Sequence, residues 1–284
     1  MPLRDYRSLP AEELAATSKI RLEILPDTAA LYQHFAQDIA EQIKANNTAG
    51  QPTRLILPVG PVGQYSILAE LTNREQISWG DVHTFNMDEH LDWQGRPVPL
   101  DHPMSFAGYM QHHLFDLLDP ELRIPEDNVH FPDPYHIDAI SERIQEIGGI
   151  DSCYGGIGYH GHLAFNEPPI SRWYKLTIEE FRDSLTRIVP LAPETVVLNS
   201  FRATGGDPAG IPPMAVTLGM KDILSARRLR LYCDGGEWQR NIMRTALFAE
   251  PDVDFPVTLA QDHPDVMIIC DQHTAQPVSS TITG

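Results

Sequence analysis

Ile150-Asp151-Ser152-Cys153-Tyr154-Gly155-Gly156-Ile157-Gly158-Tyr159-His160-Gly161-His162-Leu163-Ala164-Phe165-Asn166-Glu167-Pro168 is the stretch whose reading decides the fold. Its first five residues form a short, largely apolar run of the length and texture of a buried strand. That run empties into glycines, the arrangement by which α/β proteins bring backbone and side chains close to a small ligand. Within the eight residues from His160 to Glu167 stand two imidazoles, a carboxamide and a carboxylate. Each can hydrogen-bond a polyol or move a proton, so this loop is the expected reaction centre. A solvent-facing polar loop is the blander alternative, but glycines and proton-transfer groups this dense are more typical of a ligand loop.

Outward from that loop, strands and helices alternate. Ile20–Leu25 reads as a strand after an N-terminal arm of residues 1–19, and Asp27 is a candidate N-cap for the helix that follows. Leu31, Phe35, Ile39 and Ile43 give that helix its apolar face, and Asn46-Asn47 through Gly50 end it. Arg54–Leu57 is a buried strand entering Pro58-Val59-Gly60-Pro61-Val62-Gly63, with a helix from Gln64 to Asn73. Strand, glycine loop and helix can cradle a phosphate, but the spacing fits neither a Walker A loop nor G-x-G-x-x-G. Val82–Met87 is a strand that delivers Asp88-Glu89-His90 at its carboxyl end, where ligands sit in open α/β sheets.

Helices are expected near Ser105–Leu118 and Tyr135–Ile147. Residues 169–185, rich in charge and aromatics, read as a lid or excursion over the site, with Trp173 and Tyr174 stacking either on a sugar or in the lid's own small core. Strands are expected at Thr186–Leu191, Ala215–Gly219, Leu229–Cys233 and Asp265–Cys270, with helices at Pro193–Ser200 and Glu237–Phe248. Trp79, Trp93 and Trp238 read as packing residues. Neither a repeat nor a low-complexity linker divides residues 1–284. The expectation is one doubly wound, mostly parallel α/β domain.

Composition narrows the partners. A formal net charge of −18 argues against nucleic acid and anionic membranes. It also means that an anionic substrate would need a dedicated basic pocket. The amino terminus, MPLRDYRSLPAEEL, has no apolar core for a secretory signal, and no run approaches the roughly 18 apolar residues of a membrane span. Three cysteines, Cys153, Cys233 and Cys270, lack zinc spacing and suit reduced thiols in a cytoplasmic protein.

Taken together, Thr84-Phe85-Asn86-Met87-Asp88-Glu89-His90, His102-Pro103 and GGIGYHGHLAFNEP resemble the glucosamine-6-phosphate deaminase/isomerase family. Val216-Thr217-Leu218-Gly219 and Met267-Ile268-Ile269-Cys270-Asp271 extend the match along nearly the whole chain. The resemblance implies a Rossmann-like sheet, no metal, no organic cofactor, and conversion of a 2-amino-2-deoxy aldose phosphate to a ketose phosphate and ammonia. It also suggests a homo-oligomer. Carried over by position, Asp88 is the proton-transfer carboxylate at C2 and C1, His162 opens the pyranose ring, and Glu167 orients that imidazole. Gly60, Gly63, Glu89, Gly158 and Asn166 are expected around the substrate.

Two departures stand against the match. His160 replaces the aspartate that the family places two residues before the ring-opening histidine, which predicts a lower His162 pKa than in a relative with the carboxylate. The phosphate site looks dismantled: the loop Val59–Gly63 is short and has no hydroxyl, and Glu237 and Val196 stand where lysine and arginine are expected. A buried oxyanion needs charge-assisted donors. Either the substrate lacks the 6-phosphate, or Arg187 or Arg202 binds an anion from a new direction. Specificity is therefore expected to be altered. Two rival readings remain: a metal-dependent sugar isomerase or hydrolase using a divalent ion on His160 and His162, and a sugar-binding sensor without catalysis.

Overall fold

The computed structural model describes residues 6–171 and 173–278. Residues 1–5 of the N-terminal arm, Arg172 of segment 169–185, and the tail 279–284 lie outside the described residues. The strands are β1 (Arg21–Leu25), β2 (Thr53–Leu57), β3 (Val82–Asn86), β4 (Asp88–Leu91), β5 (Val129–His130), β6 (Ser152–Gly156), β7 (Arg187–Pro190), β8 (Met214–Thr217), β9 (Arg228–Cys233) and β10 (Val266–Asp271). The helices are α1 (Ala11–Thr17), α2 (Thr28–Ala49), α3 (Gln64–Glu75), α4 (Phe106–His113), α5 (Ala139–Glu146), α6 (Ile178–Arg182), α7 (Pro193–Ala203), α8 (Met220–Leu224) and α9 (Arg240–Phe248).

Seven strands form one sheet in the order β1-β10-β9-β6-β2-β3-β5, and every pairing in it is parallel. Side chains alternate between its faces, as period-two geometry requires. In β2, Leu55 and Leu57 enter a core with Leu31, Phe35, Leu68 and Met110 from α2, α3 and α4. Ile56 enters the opposite core, with Ile144, Ile223 and Leu247 from α5, α8 and α9. Burial on both faces explains why these strands read as apolar runs rather than alternating ones.

Local signals agree with this packing. The Asp27 side chain accepts a hydrogen bond from the Ala30 N–H, and Leu31, Phe35, Ile39 and Ile43 are fully buried. Gly50 closes α2 at φ 63°, a left-handed position that glycine takes without strain.

Three features depart from expectation. The N-terminal arm is not free, because Leu9, Ala11 and Leu14 are buried in the core and Tyr6 stacks on Phe248. Residues from two distant segments build a second sheet, β4-β8-β7, which is antiparallel. The third concerns Trp93, read as packing but 76% exposed.

Candidate active site

From β2 the chain moves outward to β3 and β5, whereas from β6 it moves outward to β9 and β10. The carboxyl ends of β2 and β6 therefore part at a topological switch point, where a crevice opens above the sheet. It holds a cleft of about 390 Å³. Pro58–Val62 after β2, Met87 and Asp88 after β3, Ile157–Tyr159 after β6, and Asp234 after β9 line it. Helix α7 closes one side with Thr195, Leu198, Asn199 and Arg202.

Glycine chemistry shapes the wall. At Gly156 a Cβ would sit 2.7 Å from the Gly60 carbonyl oxygen, so the two loops approach closely only because Gly156 has none. At Gly158 a Cβ would sit 1.9 Å from Nε2 of His162. The turn folds back on itself, with the Gly158 N–H donating to the His162 carbonyl (2.9 Å), and lays the imidazole over Gly158. This is why the sequence spaces glycine and histidine as it does.

The second sheet ties the two halves of the site together. Asp88 is paired with Thr217 across β4 and β8, and the Leu218 N–H donates to the Met87 carbonyl. Thr217 Oγ1 accepts from the Phe165 N–H (3.1 Å), while the Asn166 amide donates to the carbonyls of Leu163 and Leu218 (3.0 and 2.8 Å). Ala164 between them stands at φ 53°, left-handed for a residue with a Cβ, and lines the cleft.

His162 is 7% exposed, and its Nδ1 lies 3.7 Å from Glu167 Oε1. At that separation no hydrogen bond forms, and both atoms are buried without a partner. The other carboxylate oxygen of Glu167 accepts from the Ala192 N–H (2.6 Å), which fixes it at the start of α7. Burial lowers the His162 pKa to about 3, and the neighbouring His160 imidazole adds to the fall. Burial raises Glu167, opposed first by the Thr195 hydroxyl and then by the Ala192 N–H and the His160 ring. Both shifts run toward the neutral forms.

Asp88 is 6% exposed, and its side chain makes no hydrogen bond among the described residues. Burial, with the Glu89 carboxylate beside it, raises its pKa well above the usual carboxylate range. Two residues on, His90 is fully buried between the rings of Phe106 and Phe165, with both ring nitrogens unpartnered, and it lines the cleft. Burial holds its pKa down at about 4. Its i+2 relation to Asp88 on one strand was the available sequence signal.

Asp88, His162, Gly60, Gly158 and Arg202 thus share one cleft, with Glu167 directly behind His162. Other candidates point elsewhere. The Glu89 carboxylate accepts from the N–H groups of His90, Phe106 and Ala107 and caps α4. Asn166 spends its amide on the loop. Gly63 faces the Tyr32 ring, which a Cβ would approach to 2.3 Å. Arg187 lies over the Phe181 ring and donates to the Leu185 carbonyl. His160 is half-buried with Nδ1 unpartnered, behind the cleft rather than in its lining.

The described residues of 169–185 do not line the cleft: Trp173 and Tyr174 are exposed, and Phe181 of α6 is buried in the main core. Helix α7 covers the site instead. Trp238, read as packing, lines the cleft, as do Tyr109, Asp234 and Gln239. Val196 packs with Met104, Phe165 and Leu191, and Glu237 is exposed 3.5 Å from Arg240. Among the described residues, no three His, Cys, Asp or Glu side chains are placed to hold a metal ion, so the His160–His162 alternative lacks further ligands. No helix among the described residues is long and apolar enough to cross a membrane.

The profile of the family described as glucosamine-6-phosphate isomerases/6-phosphogluconolactonase matches residues 26–165. Glucosamine-6-phosphate deaminase of Porphyromonas gingivalis W83 is 36% identical over 262 residues, covering 89% of this chain and 92% of its own. The enzyme of the same name from Phocaeicola vulgatus is 34% identical, with the same coverage. Among solved structures, a monomeric glucosamine-6-phosphate deaminase superposes with a TM-score of 0.76 at 25% identity, over 89% of this chain and 98% of that one. A 6-phosphogluconolactonase from Trypanosoma cruzi shares the fold, with a TM-score of 0.65 at 20% identity over 89% and 95% of the two chains. With relatives this similar over nearly their whole length, the chain belongs to the glucosamine-6-phosphate isomerase/6-phosphogluconolactonase family.

Proposed function

We propose that this enzyme converts a 2-amino-2-deoxy aldose to a ketose and ammonia, with Asp88, His162 and Glu167 carrying the chemistry. One observation carries the reading: a buried, unpartnered carboxylate and a buried imidazole backed by a second carboxylate face one crevice at the switch point. His162 passes a proton between the ring oxygen and the C1 hydroxyl, which frees the aldehyde. Asp88 then removes the proton from C2 to give an enolamine, and delivers a proton to C1. The resulting ketimine at C2 adds water and loses ammonia, leaving the ketose.

The electrostatics suit these tasks. A carboxylate raised by burial is a stronger base than one in water, and its proton returns to carbon more readily when its pKa lies nearer the working pH. A neutral imidazole can donate through one nitrogen and accept through the other. Glu167, held by the Ala192 N–H, stands 3.7 Å from Nδ1, where a small closure on substrate makes the bond that selects which nitrogen faces the sugar. His90, neutral and lining the cleft, supplies a donor for the oxygen at C1 as negative charge develops there.

Ammonia release and ketose formation on glucosamine and glucosamine 6-phosphate, with Asp88→Asn as control, test the reading. Turnover of either sugar that vanishes in the control supports it. Sugar binding without turnover would instead favour a sensor. The three buried cysteines fit the cytoplasm, and sedimentation velocity distinguishes the expected homo-oligomer from the monomeric state described for the solved relative.

A further inference from the structure

The far end of the cleft, after β9, lies three strand spacings from β3 and Asp88, roughly 14 Å along the sheet edge. A six-carbon chain whose C1–C2 bond meets Asp88 has room to extend its other end in this direction. Two groups that could hold an anion there, the backbone N–H groups after β9, are already bonded within the protein. The amino terminus of α3 is a natural anion site, but the Tyr32 ring lies against Gly63 at its cap. In the loop after β9, the Gly235 N–H donates to Gln239 Oε1 (2.6 Å) and the Gly236 N–H to Thr274 Oγ1 (3.1 Å).

Arg202 is the only arginine or lysine among the described residues lining the cleft, and its guanidinium sits 5.8 Å from the centroid of the Trp238 ring. Facing this end is a carboxylate, Asp234. The Tyr32 hydroxyl donates to its Oδ2 (2.8 Å), and its Oδ1 has no hydrogen-bond partner among the described residues.

We propose that Asp234 sets specificity by accepting, through Oδ1, the hydrogen bond of a terminal hydroxymethyl group, so that the substrate is an amino sugar without a terminal phosphate. This rests on the amino-sugar reading above and adds the identity of the distal group. A hydroxyl satisfies the free oxygen; a phosphate dianion offers no donor and brings like charge against a fixed carboxylate. The tyrosine bond holds Asp234 in place from behind.

The test is binding by titration calorimetry to protein carrying Asp88→Asn, which holds sugar without turning it over. Glucosamine and glucosamine 6-phosphate are the probes, with and without Asp234→Asn. Expected is at least a tenfold preference for the free sugar, reduced tenfold or more by Asp234→Asn, with the melting temperature nearly unchanged. The exposed Arg202→Gln provides a second variant, and it should widen the preference, since it leaves Asp234 unopposed. Tighter binding of the 6-phosphate, or a preference that Asp234→Asn leaves unchanged, overturns the proposal. Asp88-dependent ammonia release from the 6-phosphate alone overturns it while leaving the amino-sugar reaction standing. Failure of both sugars to bind overturns both.

Discussion

The two ends of the cleft treat their polar groups in opposite ways. Around Asp88, His90, His162 and Glu167, buried nitrogens and oxygens are left without partners. Around Asp234, the tyrosine hydroxyl and both glycine N–H groups are already bonded within the protein. An unpaired buried polar group costs about 1–3 kcal/mol, so it persists where something else is gained. The contrast teaches that the reaction end is kept incomplete for a substrate to complete. The distal end has been finished by the protein itself, apart from one carboxylate oxygen and the exposed Arg202 guanidinium over Trp238.

The largest effect expected from breaking this contrast is at Asp88. Asp88→Asn should lower turnover by roughly 10²–10⁴, the range for loss of a general base. It should also raise the melting temperature at neutral pH. The sign follows from burial: with its folded pKa raised, Asp88 binds protons more tightly folded than unfolded, so its contribution falls as pH rises above about 4. Thermal melts from pH 4 to 8 would show that slope in the parent and a flatter one in the variant. A variant that melts lower at pH 7 would contradict the assignment.

Next comes Gly158→Ala. Its methyl would press into the imidazole of His162, so activity should fall by about 10² through displacement of the ring, the loss typical of a reacting group moved by an ångström. Far-UV circular dichroism should stay that of the parent. Asn166→Ala breaks two hydrogen bonds to buried carbonyls and should cost about 2–4 kcal/mol in denaturant unfolding. Activity would fall with it only as the loop loosens.

The smallest and sharpest test is His160→Asp. A carboxylate beside His162 favours the imidazolium, so the His162 pKa should rise from about 3 by one unit or more, read by NMR of the ring. In the parent, His162 binds fewer protons folded than unfolded between pH 3 and 6.5, so its contribution to stability grows with pH across that window. The window should narrow in the variant. An unmoved pKa would mean that His160 does not face the His162 ring electrostatically.

Much of this arrangement is legible along the chain. Burial of β2, β6, β9 and β10 on both faces follows from their apolar runs, and the α2 stripe from its i, i+4 spacing. Gly158 and His162 announce themselves because a close backbone approach leaves glycine as its mark. What stays hidden comes from non-local pairing. The β4-β8-β7 sheet joins residues more than a hundred positions apart, and no local pattern reports a partner that distant. For the same reason Glu89 looks like a pocket acid, although it caps a helix some seventeen residues on.

By itself, then, the sequence determined the alternating α/β layers and the strand-to-glycine loop, because period and turn chemistry are local properties; Asp88, His162 and Glu167 stood out through the family resemblance. Only the tertiary structure decided that α7 rather than the described residues of 169–185 covers the cleft, that His90 and Trp238 belong to it, and that Asp234, held by Tyr32, stands at its far end. Those outcomes depend on which side chains meet across the sheet edge, and that is set by packing between segments far apart in the chain.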